Sequence, residues 1–287
     1  MAKSVSIHLF DISWPANNSF DLTQVIENYR ILGLSDRWRD DIRLDSADSF
    51  NYNGNLFYLL NFSKRREIGP GKLGFNTPVQ GVNLGHGFNF GEETTALYYP
   101  QKKALLVLYN HYGIGVTRMM EYFNSYDPGN NGVFLDFIGE VRLNAVAHSQ
   151  YNKMKQIDRL YVTATIDALS EDQHTAGVSL SHATKALGGR RISFTINANE
   201  FYKNGDYLRR GPVKALVNKL LGKDSSEVSV VKVKGRVGQK DKIIDLIEQK
   251  LTAEYTDRDL QVLHNKYTLD SKKDLLLRCF NGWSNIV

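Results

Sequence analysis

Cysteine is nearly absent. Cys279 is the single one among 287 residues, which excludes an internal disulfide and a cysteine-based zinc site. Long apolar runs are missing as well, and none approaches the ~18–20 residues that a bilayer-spanning helix needs. Met1, Ala2, Lys3 and Ser4, with the short mixed run after them, lack the apolar core of a signal peptide. These absences predict a protein of the reducing cytoplasm. No internal repeat and no low-complexity tract is found, which excludes solenoid architectures. Catalytic signatures are missing too. The seven histidines are scattered and form neither HExxH nor a Cys/His cluster, and no G-x-S-x-G occurs. Gly85, Gly87 and Gly91 are spaced one residue too widely for a dinucleotide fingerprint and lack a strand–helix frame. Gly69, Pro70, Gly71 and Lys72 lack the frame of a P-loop.

What is present is enough apolar residue, 42%, for a sizeable core and two domains. Residues 4–12 alternate as a half-buried strand does. A helix is predicted at 20–32, with Leu22, Val25, Ile26, Tyr29 and Leu32 inward and Ser19 as N-cap. Asn53-Gly54 signals a hairpin between 46–51 and 56–62. Residues 69–91 hold seven glycines and two prolines. That is long for a loop, and it reads as a flap or an arm that wraps a neighbour. An apolar hairpin follows, 95–99 and 104–109, then an amphipathic helix at 116–123 with Val116, Met119, Met120 and Phe123 inward.

The turn-rich stretch 124–132 marks a domain boundary. It predicts an N-terminal domain, 1–126, with its Gly-rich flap at 69–91, and a basic C-terminal domain, 127–287. In the second, strands are expected at 133–141, 159–166, 190–198 and 228–237. Helices are expected at 143–156 (Leu143, Val146, Ala147 and Met154 inward), at 178–187, after Pro212 (Val213, Val217, Leu220 and Leu221 inward) and at 271–280. Residues 243–251 suit a helix by spacing but read better as a strand paired with 228–237. The fold class is two-domain α+β, with antiparallel or mixed sheets packed by helices.

Net charge is only +5, but it is segregated. Residues 185–242 hold 14 Lys and Arg against 5 Asp and Glu, so this stretch carries +9 and the remainder −4. Such segregation points to an anionic partner, nucleic acid or a membrane surface. Lys232, Lys234 and Arg236 alternate with valines, so one face of their strand is a basic row that can follow phosphates; a lysine-protected edge strand gives the same pattern. Arg190 and Arg191 open a strand. Arg209, Arg210 and Lys214 gather at a helix start, where cations oppose the helix dipole and an anion would be stabilised. Lys64, Arg65 and Arg66 form a second candidate contact, or simply a solvated loop. Asp136, Glu140, Asp158 and Asp167 could build a metal nuclease site only if folding converges them.

The block 91–123, with its acidic turn Gly91-Glu92-Glu93, aromatic strand, second strand ending near Tyr109-Asn110, Gly-Ile-Gly-Val and helix, resembles the phage-exclusion RexA and Kiwa KwaB family. A weaker likeness covers 134–166 and 231–251. The resemblance implies a cytoplasmic homodimer that binds double-stranded DNA in antiphage defence, with a membrane protein as effector. It carries no catalytic signature. The resulting expectation is a non-enzymatic, cofactor-free DNA-binding protein of phage exclusion or abortive infection, contacting phosphates in a sequence-independent way. The alternatives are a metal-dependent nuclease with a dispersed carboxylate site, and an interaction module that senses a phage protein through the Gly-rich segment.

Overall fold

The structure is a computed structural model that describes residues 4–67, 69, 72–74, 77–85, 88–110, 112–129, 132–170, 189–198, 207–221, 227–238, 240–264 and 266–283. The fold is α+β with antiparallel sheets. The chain divides into two units, Met1–Gly139 with Ala253–Val287, and Glu140–Thr252.

Unit 1 is laid out as β1 (Ser4–Ser13), α1 (Leu22–Ile31), β2 (Trp38–Arg39), β3 (Ile42–Tyr52), β4 (Asn55–Arg66), β5 (Lys72–Gly74), β6 (Thr77–Gln80), β7 (Phe90–Tyr99), β8 (Ala104–Leu108) and α2 (Val116–Asn124). The chain passes through β9 (Ile138–Val141) into unit 2. There it forms α3 (Ala145–Lys153), β10 (Gln156–Thr165), α4 (Ile166–Ser170), β11 (Arg191–Asn197), α5 (Arg210–Leu221), β12 (Val228–Val237) and β13 (Lys240–Asp245). It returns through β14 (Thr252–Thr256), β15 (Val262–Leu263), β16 (Lys266–Tyr267) and α6 (Leu269–Gly282).

The predicted apolar hairpin is β7–β8, and every residue of β8 is buried. Strand order in the large sheet is β14-β1-β8-β7-β4-β3-β2, with β9 also pairing β1. The Asn53-Gly54 turn joins β3 to β4 with both residues at positive φ, as a two-residue hairpin turn requires. Aromatic side chains fill the core. Tyr29 stacks on Tyr122 at 4.7 Å, and Phe280 of α6 meets Phe57 edge-on at 4.9 Å. The Tyr122 hydroxyl donates to the Arg37 carbonyl at 2.7 Å and accepts from the Leu44 amide, tying α2 to the strand side of the sheet.

Glu93 on β7 fastens the returning segment. Its Oε1 lies 2.5 Å from Lys266 Nζ, and its Oε2 lies 2.9 Å from Lys272 Nζ. The Asn61 amide donates to the same carboxylate at 3.3 Å. The Lys272 side chain is only 8% exposed.

Unit 2 is a four-stranded antiparallel sheet in the order β11-β10-β12-β13. Alternation assigns its two faces. Leu160, Val162, Val231, Val233 and Ile244 point inward and are buried with Ala147 and Tyr151 of α3 and with Val213, Val217, Leu220 and Leu221 of α5. Entry and exit are zipped together. The Asn144 amide donates to the Gln249 carbonyl at 2.9 Å, and the Leu251 amide to the Arg142 carbonyl at 2.9 Å.

Several expectations are corrected. The domain boundary is not at 126/127. Residues 132–137 are held in unit 1 because Ser19 Oγ accepts from the Phe134 amide, Asn18 from Asp136, and Asn124 from Phe137. Nor does 253–287 belong to the second domain, since β14 completes the large sheet and α6 covers it. Asp21, not Ser19, caps α1, in a reciprocal pair with Gln24 at 2.8 Å in both directions. Val146 is 67% exposed rather than inward, and Tyr151 takes the buried position. Residues 133–137 form no strand; β9 starts at Ile138. The strand expected at 243–251 runs instead over Lys240–Asp245. The Gly-rich stretch contains the β5–β6 hairpin. The helix expected at 178–187 lies outside the described residues.

Candidate nucleic-acid interface

The outer face of the unit 2 sheet can be written row by row, because directly opposed residues of antiparallel strands share a face. Arg191 stands opposite Thr165. Ser193, Thr163 and Val230 form the next row, and the Ser193 and Thr163 hydroxyls are 2.9 Å apart. Thr195, Tyr161, Lys232 and Asp245 follow, then Asn197, Arg159, Lys234 and Ile243, and finally Gln156, Arg236 and Asp241. Among the described residues these rows carry the cations Arg159, Arg191, Lys232, Lys234 and Arg236 and the carboxylates Asp241 and Asp245. Across its middle runs a shallow hollow of about 400 Å³ beside Tyr161.

β12 lies inside the sheet, between β10 and β13, so its lysines do not guard an edge. The basic row is nevertheless answered in part. Lys232 Nζ is 2.8 Å from Asp245, and Arg236 Nε is 3.3 Å from Asp241, both on β13. The Asp245 hydrogen bond and charge raise the Lys232 ammonium above its ordinary value. Lys234 is different. Its neighbours across the strands are Arg159 and Ile243, and among the described residues no carboxylate pairs with it. Lys234 is thus the cation of the row that no carboxylate among the described residues answers.

The other expected contacts do not converge on one patch. The Ile166 amide bonds to the Arg190 carbonyl, and the Leu208 amide to the Ile157 carbonyl. Arg190 and Arg191 therefore sit at one end of β10, and Arg209 and Arg210 at the other, roughly 27 Å apart at ~3.4 Å per residue. At the start of α5, Arg210 donates to the Asn152 carbonyl at 2.8 Å and Lys214 pairs with Glu140 at 3.0 Å. Two of the three cations expected to hold an anion there are occupied by the protein itself; Arg209 is exposed. Lys64, Arg65 and Arg66 are the end of β4 in unit 1 rather than a loop. Arg66 is bound by Glu92 at 2.5 Å and lies over the Tyr112 ring.

Arg159 and Tyr161 were not singled out in the sequence. The alternation Arg159, Tyr161, Thr163 against Leu160, Val162, Ala164 was a usable signal for both. Among the described residues no three His, Cys, Asp or Glu side chains gather as a metal site. Of the nuclease candidates, Glu140 is held by Lys214, and Asp136 belongs to unit 1 while Asp158 belongs to unit 2.

Redrawn along the structural boundary, the charge separation persists. Unit 2 holds 19 Lys and Arg against 12 Asp and Glu, a net +7, while unit 1 holds 17 against 19, a net −2. No helix among the described residues is long and apolar enough to cross a membrane. No curated protein matches the chain. A model of a family of unknown function, DUF6731, matches residues 11–270, and the chain belongs to that family.

Proposed function

We propose that the protein binds DNA without turnover, holding phosphates along the outer face of the unit 2 sheet. The observation that carries this reading is Lys234, on the basic row of β12 with no carboxylate pairing it among the described residues. An anion beside Lys234 meets a cation that no carboxylate among the described residues answers. The +7 charge of unit 2 supplies the attraction at longer range. The resemblance of residues 91–123 to the RexA and KwaB family supplies the setting, antiphage defence by a homodimer that signals to a membrane-protein effector.

The test is the salt dependence of DNA affinity, measured by fluorescence anisotropy, for the wild type and for Lys232→Ala/Lys234→Ala/Arg236→Ala. Each phosphate neutralised on a duplex contributes a log–log slope of about −0.9, so the triple variant should flatten the slope by up to roughly three units. Lys234→Ala alone should account for about one of these. The loss should be the same for unrelated sequences. The buried valines of β12 keep the variant folded. An unchanged affinity and slope in a folded triple variant would remove the proposal.

A further inference from the structure

We infer that the outer face of the unit 2 sheet takes single-stranded nucleic acid, with an unpaired base stacked on Tyr161. This rests on the phosphate-binding reading above and names the form of the ligand.

The width of the sheet is the first argument. Four strands at ~4.8 Å spacing put β11 and β13 about 14 Å apart before side chains are added. The major groove of B-DNA is ~12 Å wide and admits a helix or a two-stranded ribbon. The face therefore cannot enter a duplex groove, and its central side chains cannot reach paired bases. Bases splayed out of a single strand can lie on it.

The second argument is what stands in the middle. Among the cations of the two central strands the face places an aromatic side chain, Tyr161, flanked by Thr195 and Lys232. Ile243, 60% exposed, stands beside Lys234 on the next strand out. The hollow of about 400 Å³ is lined by Tyr161, Thr163, Ser193, Thr195, Lys232 and Ile243 among others. An aromatic platform and an apolar wall, interleaved with cations that follow a backbone, is the surface that single strands require. The hydroxyls of Thr163, Ser193 and Thr195 supply sequence-tolerant donors and acceptors for base edges. Bases would lie along the Tyr161–Ile243 diagonal, with phosphates passing Lys234 and Arg159.

The experiment uses the full chain and three labelled probes of equal length: oligo-dU, oligo-U and a mixed-sequence DNA duplex. At one salt concentration, one of the single strands should bind at least about tenfold more tightly than the duplex. The tighter of the two identifies the sugar. Tyr161→Ala should weaken that single strand by about tenfold, within the range for one stacked base. The salt slope should stay the same, because no phosphate contact is lost. Tyr161→Phe should retain affinity. Ile243→Ser, at an exposed position that does not support the core, should weaken the same probe and guards against misfolding of the first variant. Duplex binding equal to or tighter than both single strands would overturn the inference and leave the phosphate reading standing. So would folded Tyr161→Ala and Ile243→Ser proteins that bind as the wild type does. Failure of all three probes to bind would overturn both.

Discussion

Replacing Glu93 with Gln should destabilise unit 1 by about 3–5 kcal/mol, the range for removing one partner of a buried ion pair. The change keeps the shape and removes the charge that compensates Lys272, whose side chain is 8% exposed. Lys272→Met is milder, about 1.5–3 kcal/mol, because Glu93 keeps Lys266 as its partner. The double variant should cost less than the sum, since each single change already breaks the shared contact. Burial alone would raise the Glu93 carboxyl. The hydrogen bonds and charges of Lys266 and Lys272 outweigh it and hold the group below its ordinary value. A folded value below the unfolded one, about 4.3, means that the contribution is complete above that pH and is lost as pH falls through the folded value. The gap between wild type and Glu93→Gln should therefore be constant from pH 8 to about 5 and close in more acid solution. All three tryptophans, Trp14, Trp38 and Trp283, lie in unit 1, so tryptophan fluorescence in urea reports that unit alone. The midpoint should fall by roughly 1.5–2.5 M at an m-value of about 2 kcal/mol/M. Superimposable curves at pH 7, or a gap that persists unchanged at pH 3, would refute the reasoning.

Gly235 faces the inner side of β12, where an added Cβ would lie 2.1 Å from the Gln156 carbonyl oxygen and 2.7 Å from Met154 Sδ. Backbone cannot step aside, so Gly235→Ala should destabilise unit 2 by about 1–3 kcal/mol. Far-UV dichroism should show the earlier loss, while the tryptophan transition of unit 1 stays in place. Homodimerisation, carried by the resemblance of residues 91–123, should appear in sedimentation at micromolar concentration as about twice the 32.6 kDa chain mass. A strictly monomeric species there would withdraw it.

The β7–β8 hairpin with α2 was legible because its signals are local: an apolar run too short for a helix, turn residues on either side, then helical spacing. The basic row of β12 was legible for the same reason, since alternation with valines needs no knowledge of the neighbours. Its partners were not read. Asp245 and Asp241 lie within fourteen residues of the row, but pairing them with Lys232 and Arg236 requires the hairpin register. Val237 pairs with Lys240, and that pairing sets the register for the rest of the two strands. Arg210 bonding to the Asn152 carbonyl could not be found this way, because its partner is set by packing between distant elements. The same holds for the domain boundary. Residues 124–132 are rich in turn formers, yet side chains from 18 and 19 reach across to bind the backbone at 134 and 136.

Unit 1 is interrupted, and this has a consequence for how the chain is made. Between Gly139 and Ala253 lie the 113 residues of unit 2. At ~5–20 residues per second the ribosome spends roughly 6–23 s on them. Throughout that interval the β1 edge still lacks β14, and the Phe57 and Tyr99 rings lack the cover of Phe280. Glu93 has no lysine to meet. Unit 2 is continuous, its ends already zipped by Asn144 to Gln249 and Leu251 to Arg142, and needs nothing further downstream to close. The inserted unit can therefore close first, while the unit begun first waits as a nascent sheet whose β1 edge is covered by β9 but not yet by β14, an opening that invites a chaperone.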